Sequence, residues 1–301
     1  MAALLWRVVL LCELLCSGAV AVGLLRTWAA SAALHTVGAT AAALCVFVLL
    51  QGLPVVVSYG RARWVSRAGA VRPGALTIMR ESVAWLRAML AMSALGPRRK
   101  GVARVPNAPV RPVILVHGLL CNGRIWAALE RKLAAAGFAP VLAVSLEPLL
   151  SDLDVHAGAL ARAIETLYAQ TGERVTLVAH SMGGLIARAA LRTVRPALLH
   201  QIVTLGTPHY GTRLARDLPL PPVRQMRPDS PWLEALNFAQ AGGLGVPLSC
   251  LYSTDDNLIV PAVSGTVAQA TTIRLDGLGH LSLLFCDRAL EAVIMQLRTA
   301  A

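Results

Sequence analysis

The chain has 301 residues, of which 56% are hydrophobic and 15% charged, with a formal net charge of +12. Its six cysteines exclude a disulfide framework: Cys12, Cys16 and Cys45 fall in apolar runs, and Cys121, Cys250 and Cys286 are an odd remainder without short paired spacing, so all read as small buried hydrophobes. No Cys/His cluster has metal-ligand spacing and no glycine-rich phosphate loop occurs, so neither a metal nor a cofactor is implied.

Residues Ala2 to Leu25 and about Ala30 to Val57 are two long apolar segments. Each is long enough to cross a hydrocarbon core of roughly 30 Å at a helical rise of about 1.5 Å per residue. They are expected to form a transmembrane hairpin over residues 1–60, with Trp6 and Trp28 as interfacial aromatics bracketing the first span. A cleaved signal peptide is the alternative for that span; Glu13, in the middle of the apolar run, argues against it.

Residues 61–111 form a basic juxtamembrane segment and linker. Eleven basic residues, Arg61, Arg63, Arg67, Arg72, Arg80, Arg87, Arg98, Arg99, Lys100, Arg104 and Arg111, face a single acid, Glu81. Within it Ile78, Val83, Trp85, Leu86, Met89 and Leu90 make an apolar helical surface. A basic amphipathic helix beside membrane spans is expected to lie on anionic lipid. Nucleic acid is the rival partner for such charge, but no binding motif accompanies it.

From residue 112 the pattern changes to short apolar runs alternating with helical stretches. The runs are Val113 to Val116, Val141 to Val144, Val175 to Val178, Ile202 to Leu205, Leu248 to Tyr252 and Thr272 to Leu275. The helical stretches are Ile125 to Ala136, Ser151 to Tyr168, Met182 to Val194 and Leu281 to Leu297. Such alternation predicts an α/β domain over residues 112–301 with a mostly parallel sheet of about six strands. In the third helical stretch Leu185, Ala189 and Arg192 mark alternate faces. The proline- and glycine-rich interval 213–247, with the apolar patch Trp232 to Leu236, reads either as a small substrate-contacting cap or as a surface connection with one helix on the core.

Four motifs in this domain carry chemistry. The first predicted strand ends in His117-Gly118-Leu119. The third runs into Ala179-His180-Ser181-Met182-Gly183-Gly184, a serine between an apolar strand and a small-residue helix start, as a nucleophile elbow requires; an ordinary helix N-cap is the plainer reading. The fifth runs into Ser253-Thr254-Asp255-Asp256-Asn257. Of the seven histidines, only His280 follows this acid, in the loop Gly277-Leu278-Gly279-His280. Chain order Ser, Asp, His therefore selects His280. Spacing from Tyr252 favours Asp256 over Asp255, while Asp276 reads as a solvated turn residue.

Together with Leu205-Gly206-Thr207-Pro208-His209-Tyr210-Gly211-Thr212, these motifs make residues 110 to 300 resemble the bacterial lipases and esterases of the α/β-hydrolase family. The likeness is greatest to the compact Bacillus-type lipases with little or no lid, although Ala179 stands where the strict pattern has glycine. The resemblance implies a minimal α/β-hydrolase without the two leading antiparallel strands of larger relatives. By it Ser181 is the nucleophile, His280 the general base and Asp256 its orienter, with the backbone N–H groups of Leu119 and Met182 as oxyanion donors. His117, Thr207 and His209 are expected to be architectural.

The reading as a whole is a membrane-anchored serine hydrolase cleaving carboxylic esters, with acyl lipids as the expected substrates. An acyltransferase or thioesterase using the same residues, and a membrane scaffold whose hydrolase-like domain only binds, are the alternatives. Arginines directly after the second span, against Arg26 alone in the loop between spans, predict a bacterial inner-membrane protein with the domain in the cytoplasm.

Overall fold

The computed structural model describes residues 1–27, 32–66, 73–94 and 111–299. Trp28, Arg67, Arg72, Arg98, Arg99, Lys100 and Arg104 lie outside them.

The α/β domain is built on six parallel strands, β1 (Val113–Val116), β2 (Val141–Ala143), β3 (Val175–His180), β4 (Leu199–Leu205), β5 (Leu248–Tyr252) and β6 (Thr271–Arg274), in the order β2-β1-β3-β4-β5-β6. The central strands bury both faces, as a parallel sheet covered on each side requires: every residue of β1 and β3 is buried. Alternate residues divide between two cores. Ile114, Val116, Leu177 and Ile202 pack under α5 (Leu153–Thr171) and α6 (Met182–Ala190). Val113, Leu115, Val178 and Val203 pack on the other face, with α9 (Asp287–Thr299) and α4 (Ala127–Ala135). The predicted strands all form, and all pair in parallel.

One helix departs from the periodic expectation. Every residue of α6 is buried, Arg188 included, so Leu185 and Ala189 do not mark alternate faces; only Arg192, beyond the helix, reaches the surface. The reason is that α6 is roofed by α8 (Pro231–Ala239), whose Asn237 and the following Gln240 accept hydrogen bonds from Arg188 at 2.8 and 2.9 Å. Burial lowers the Arg188 pKa to about 10.

Ahead of the sheet stand α1 (Ala2–Thr27), α2 (Ala32–Ser66) and α3 (Ala75–Ser93). Among the described residues, Ala2–Leu24 and Thr36–Ser66 are long and apolar enough to cross a membrane. The two helices lie antiparallel, and Glu13 accepts a hydrogen bond from Gln51 Nε2 at 2.8 Å across the pair. The acid that interrupts the first apolar run is thus matched by the amide in the second. Helix α2 runs past the expected end at Val57, because Tyr59 and Ala62 are buried against Val260 of the α/β domain and hold the extra turns there.

Two expectations about this region are corrected. Trp6 is not an interfacial aromatic: it is buried, packs edge-on against Trp85 with ring centroids 5.6 Å apart, and donates its indole N–H to the Leu120 carbonyl at 2.7 Å. The stripe of α3 that includes Ala84, Ala88, Met89 and Met92 faces the α/β domain rather than an outer surface. Met89 therefore belongs to the core, while Val83 and Leu90 remain exposed. Helical periodicity marks an apolar face but not what covers it. Cys121 and Cys250 are buried free thiols as expected, whereas Cys286 is half-buried and Cys12, Cys16 and Cys45 are uncovered by protein.

Candidate active site

In open parallel sheets ligands bind outside the carboxyl ends of the strands where strand order reverses. Here that point lies between β1 and β3, and it brings His117 to Leu120 against Ser181. A Cβ added to Gly118 would fall 2.8 Å from the Ser181 Cβ.

Ser181 is the one-residue joint between β3 and α6, at φ 56° and ψ −129°. A serine in this region is strained and persists only where its surroundings over-determine it. They do: its N–H donates to the Leu205 carbonyl at 2.9 Å, and the first turn of α6 is pressed against β1 and the loop after β4. A Cβ on Gly183 would lie 2.5 Å from the Val116 carbonyl oxygen and 2.7 Å from that of His117, and one on Gly184 would lie 2.1 Å from Thr207 Oγ1. Because the Gly183 contacts are with backbone, Gly183→Ala is expected to cost about 1–3 kcal/mol. The expected readout is a lower thermal midpoint of the detergent-solubilised protein by circular dichroism.

Two backbone segments adjoin the serine, the start of α6 and the turn after β1. Met182 is the first residue of α6, so its N–H has no intrahelical acceptor. Leu119 lies in the turn after β1, next to Leu120, whose φ is 58°. His117 holds that turn. Its Nε2 accepts from Leu146 N at 3.0 Å, so the proton sits on Nδ1, which donates to the Gly118 carbonyl at 2.8 Å.

The acid and the histidine come from the loops after β5 and β6. Asp256 is 1% exposed. Its Oδ2 lies 2.8 Å from His280 Nδ1, and its Oδ1 accepts from the amides of Leu258 and Ile259 at 2.8 and 2.9 Å. The His280 amide in turn donates to Asn257 Oδ1 at 2.9 Å. A carboxylate facing Nδ1 places the proton there and leaves Nε2 as the basic nitrogen. Asp255 is not part of this pair; it accepts from the Gly277 amide at 2.7 Å. Exposed Asp276 binds Thr254 and Arg274.

Electrostatics separate two neighbouring histidines. Burial pushes the His280 pKa down, but the charge and hydrogen bond of Asp256, then the charge of Glu81, outweigh it and hold the ring above the ordinary histidine value. His180, stacked obliquely on it at 4.5 Å, is pushed well down by burial and then by His280. It remains neutral, donating Nε2–H to the His280 carbonyl at 3.1 Å.

Ser181, His180 and His280 lie at the floor of a cavity of about 260 Å³ whose walls are almost wholly apolar. The interval 213–247 contributes Leu214, Leu218, Val223 and Met226 from its first half. The patch at Trp232 to Leu236 instead buries Leu233 and Leu236 in the core. The opposite wall is Trp6, Trp85, Met89 and Met92 from α1 and α3. None of these four was legible as a site residue. Thr207 and His209 take no place in the cavity lining; His209 is buried against Arg188, Thr204 and Cys250.

Solved structures share this arrangement of sheet and helices. A Bacillus licheniformis lipase in its mature form superposes with a TM-score of 0.59 at 17% identity, over 65% of this chain and 95% of that one. A Paleococcus ferrophilus monoacylglycerol lipase does so with a TM-score of 0.51 at 18% identity, over 67% and 97%. The fold is an α/β-hydrolase fold. Within this hydrolase domain residues 149–225 match the family described as PGAP1-like alpha/beta domain. Among curated proteins, triacylglycerol lipases of Pseudarthrobacter phenanthrenivorans and Burkholderia plantarii are each 29% identical over 174 residues, 54% of this chain and 52% and 46% of theirs. The chain spans about half the length of the curated relatives it matches.

Proposed function

We propose that this protein is a membrane-anchored serine hydrolase that cleaves carboxylic esters of acyl lipids through an acyl-enzyme. The observation that carries the reading is the buried Asp256–His280 pair set beside a strained Ser181 at the floor of an apolar cavity.

In the proposed reaction His280 Nε2 takes the Ser181 hydroxyl proton as Oγ attacks the ester carbonyl, and Asp256 stabilises the imidazolium that forms. The amides of Leu119 and Met182 donate to the oxyanion, in a site dry enough for such bonds to count for more than in water. Protonated His280 then gives its proton to the leaving alcohol, and water repeats the sequence on the acyl-enzyme. The apolar walls suit an acyl chain and have few polar groups for a sugar or peptide. A fluorophosphonate probe should label the detergent-solubilised protein at Ser181. Monoacyl and diacyl lipids and short aryl esters should be hydrolysed, whereas absence of both labelling and hydrolysis would reject the reading.

The anchor in this proposal is the α1–α2 pair, whose outward side chains, among them Leu4, Leu11, Leu15, Leu49 and Leu53, are exposed apolar groups that lipid would cover. Both ends of the pair return to the hydrolase domain, since Trp6 and Tyr59 each bond to it. With arginines at the end of α2 and the positive-inside tendency, we place the domain on the cytoplasmic side of a bacterial inner membrane. A C-terminal alkaline phosphatase fusion should then be inactive and a fluorescent protein fusion bright in bacterial cells. A dark fluorescent fusion with an active phosphatase would put the domain outside.

A further inference from the structure

Each of the three helices that precede the hydrolase domain holds one of the loops that build the site. Helix α1 holds the turn after β1 through Trp6 and the Leu120 carbonyl. Helix α2 holds the Asp256 loop twice: Tyr59 donates to the Asp255 carbonyl at 3.0 Å, and Ser58 Oγ accepts from Asn257 Nδ2 at 2.6 Å. Helix α3 holds the His280 loop through Glu81, and this tie is the most demanding of the three.

Glu81 is 1% exposed, yet among the described residues no Lys or Arg pairs with it. An uncompensated buried carboxylate costs several kcal/mol. What meets it is the segment that carries the histidine. The amides of Leu281 and Ser282 donate to its two oxygens, each at 2.8 Å, and the Ser282 hydroxyl donates at 2.7 Å. On the other side of His280, a Cβ on Gly279 would fall 2.4 Å from the Glu81 carboxyl carbon. The chain on both sides of His280 is thus laid against one carboxyl group. Side-chain length and three donors fix the position, because two of the donors are backbone amides held by the loop itself.

We propose that Glu81 is a positioning residue for His280, and that α3 is a working part of the active site as well as part of the connection to the membrane. Glu81 fixes the loop that aims the imidazole and supplies a second negative charge, behind Asp256, for the imidazolium that forms during catalysis. This inference rests on the assignment of His280 as the general base. The groups that face His280 are Asp256 from the β5 loop, His180 and Ser181 from the end of β3, Glu81 from α3 and, farther off, Tyr59 from α2. Of these only Asp256 and Glu81 bring negative charge. Burial holds the Glu81 pKa above the ordinary glutamate value, and its three donors and His280, which favour the ionised form, offset part of that rise.

The test is Glu81→Gln in the full chain, solubilised in detergent, assayed on a short aryl ester across pH. Gln keeps the size but removes the charge and turns one acceptor into a donor facing donors. The expected result is a loss of about tenfold or more in kcat, as for a misplaced catalytic group, with KM little changed. The acidic limb of kcat/KM should move about one pH unit lower, because removing a nearby negative charge eases deprotonation of His280. Glu81→Asp, shorter but charged, should return the limb toward its original pH while recovering kcat only in part. Should Glu81→Gln fail to fold, Ser282→Ala removes one donor and should move the limb in the same direction by less.

An acidic limb that stays in place in folded Glu81→Gln, or in Ser282→Ala where Glu81→Gln does not fold, overturns the proposal, as does an activity loss equal to the fraction unfolded by circular dichroism. The underlying assignment fails separately: it falls if His280→Ala retains turnover, whereas an inactive His280→Ala with an unmoved limb in Glu81→Gln removes only the role of Glu81.

Discussion

Ser181→Ala is expected to abolish turnover of short-chain aryl esters, with a loss on the order of 10⁵–10⁶ in kcat, and to block fluorophosphonate labelling. Residues that act as a unit fail as a unit, and what remains is the modest effect of the oxyanion donors and of binding. The variant should fold. Alanine keeps the Cβ that Ser181 already carries at φ 56°, and the amide bond to the Leu205 carbonyl does not involve the side chain. Nor does Ser181 Oγ serve as a cap for α6, so removing it withdraws no hydrogen bond from the helix. Binding of the proposed lipid substrate should survive, because the cavity walls are contributed by other residues. Undiminished turnover in a folded Ser181→Ala protein would show that the chemistry lies elsewhere.

The hydrolase domain was legible in the sequence because its local signals agree with its global fold. The Val113 to Val116 run at β1 and the Leu248 to Tyr252 run at β5 form strands with the predicted bounds. The glycines after Ser181 are required by contacts only an elbow makes. Chain order alone separated His280 from His180, although the two rings end up 4.5 Å apart. The N-terminal third was legible only as material. Long apolar runs announce helices but do not say which residues dock, so Trp6 read as a membrane-interface residue and turned out to hold the loop beside Ser181. In the same way Trp85 and Met89 of α3 read as part of a lipid-facing surface, and their side chains belong instead to the cavity. Glu81 is the only acid, against eleven basic residues, between 61 and 111. A solitary acid on an otherwise apolar and basic helix is costly to bury, and its place is explained by amides two hundred residues away.

These contacts also bear on how the proposed anchor and the proposed chemistry would work together. On the proposed reading a lipid ester leaves the bilayer to reach Ser181, and α1, the first helix of the proposed anchor, supplies cavity wall together with α3. An acyl chain moving from lipid into the site would exchange one apolar environment for another, losing little hydrophobic stabilisation along the way. A cavity opening only to water would impose the full transfer cost of roughly 0.8 kcal/mol per methylene group.

The choice between the two adjacent aspartates gives the second large effect. Asp256→Asn is expected to reduce kcat on the order of 10⁴, as an amide does at the corresponding position of serine proteases. The geometry gives the reason. The Oδ1 position is claimed by the Leu258 and Ile259 amides, which only an oxygen can accept from. An asparagine there must turn its oxygen toward them and present its NH₂ to His280 Nδ1. The ring then accepts at Nδ1 and carries its proton on Nε2, where it cannot take one from Ser181. Stability should change far less than activity, since both amides keep their acceptor. Asp255→Asn poses no such conflict: its oxygen can still accept from Gly277, and nothing in its surroundings forces the NH₂ toward His280. A decrease of less than about tenfold is expected for it. Steady-state kinetics of the two variants on one aryl ester, with labelling rates alongside, decide the matter; a crippled Asp255→Asn beside a mild Asp256→Asn would reverse the assignment while leaving Ser181 and His280 in place.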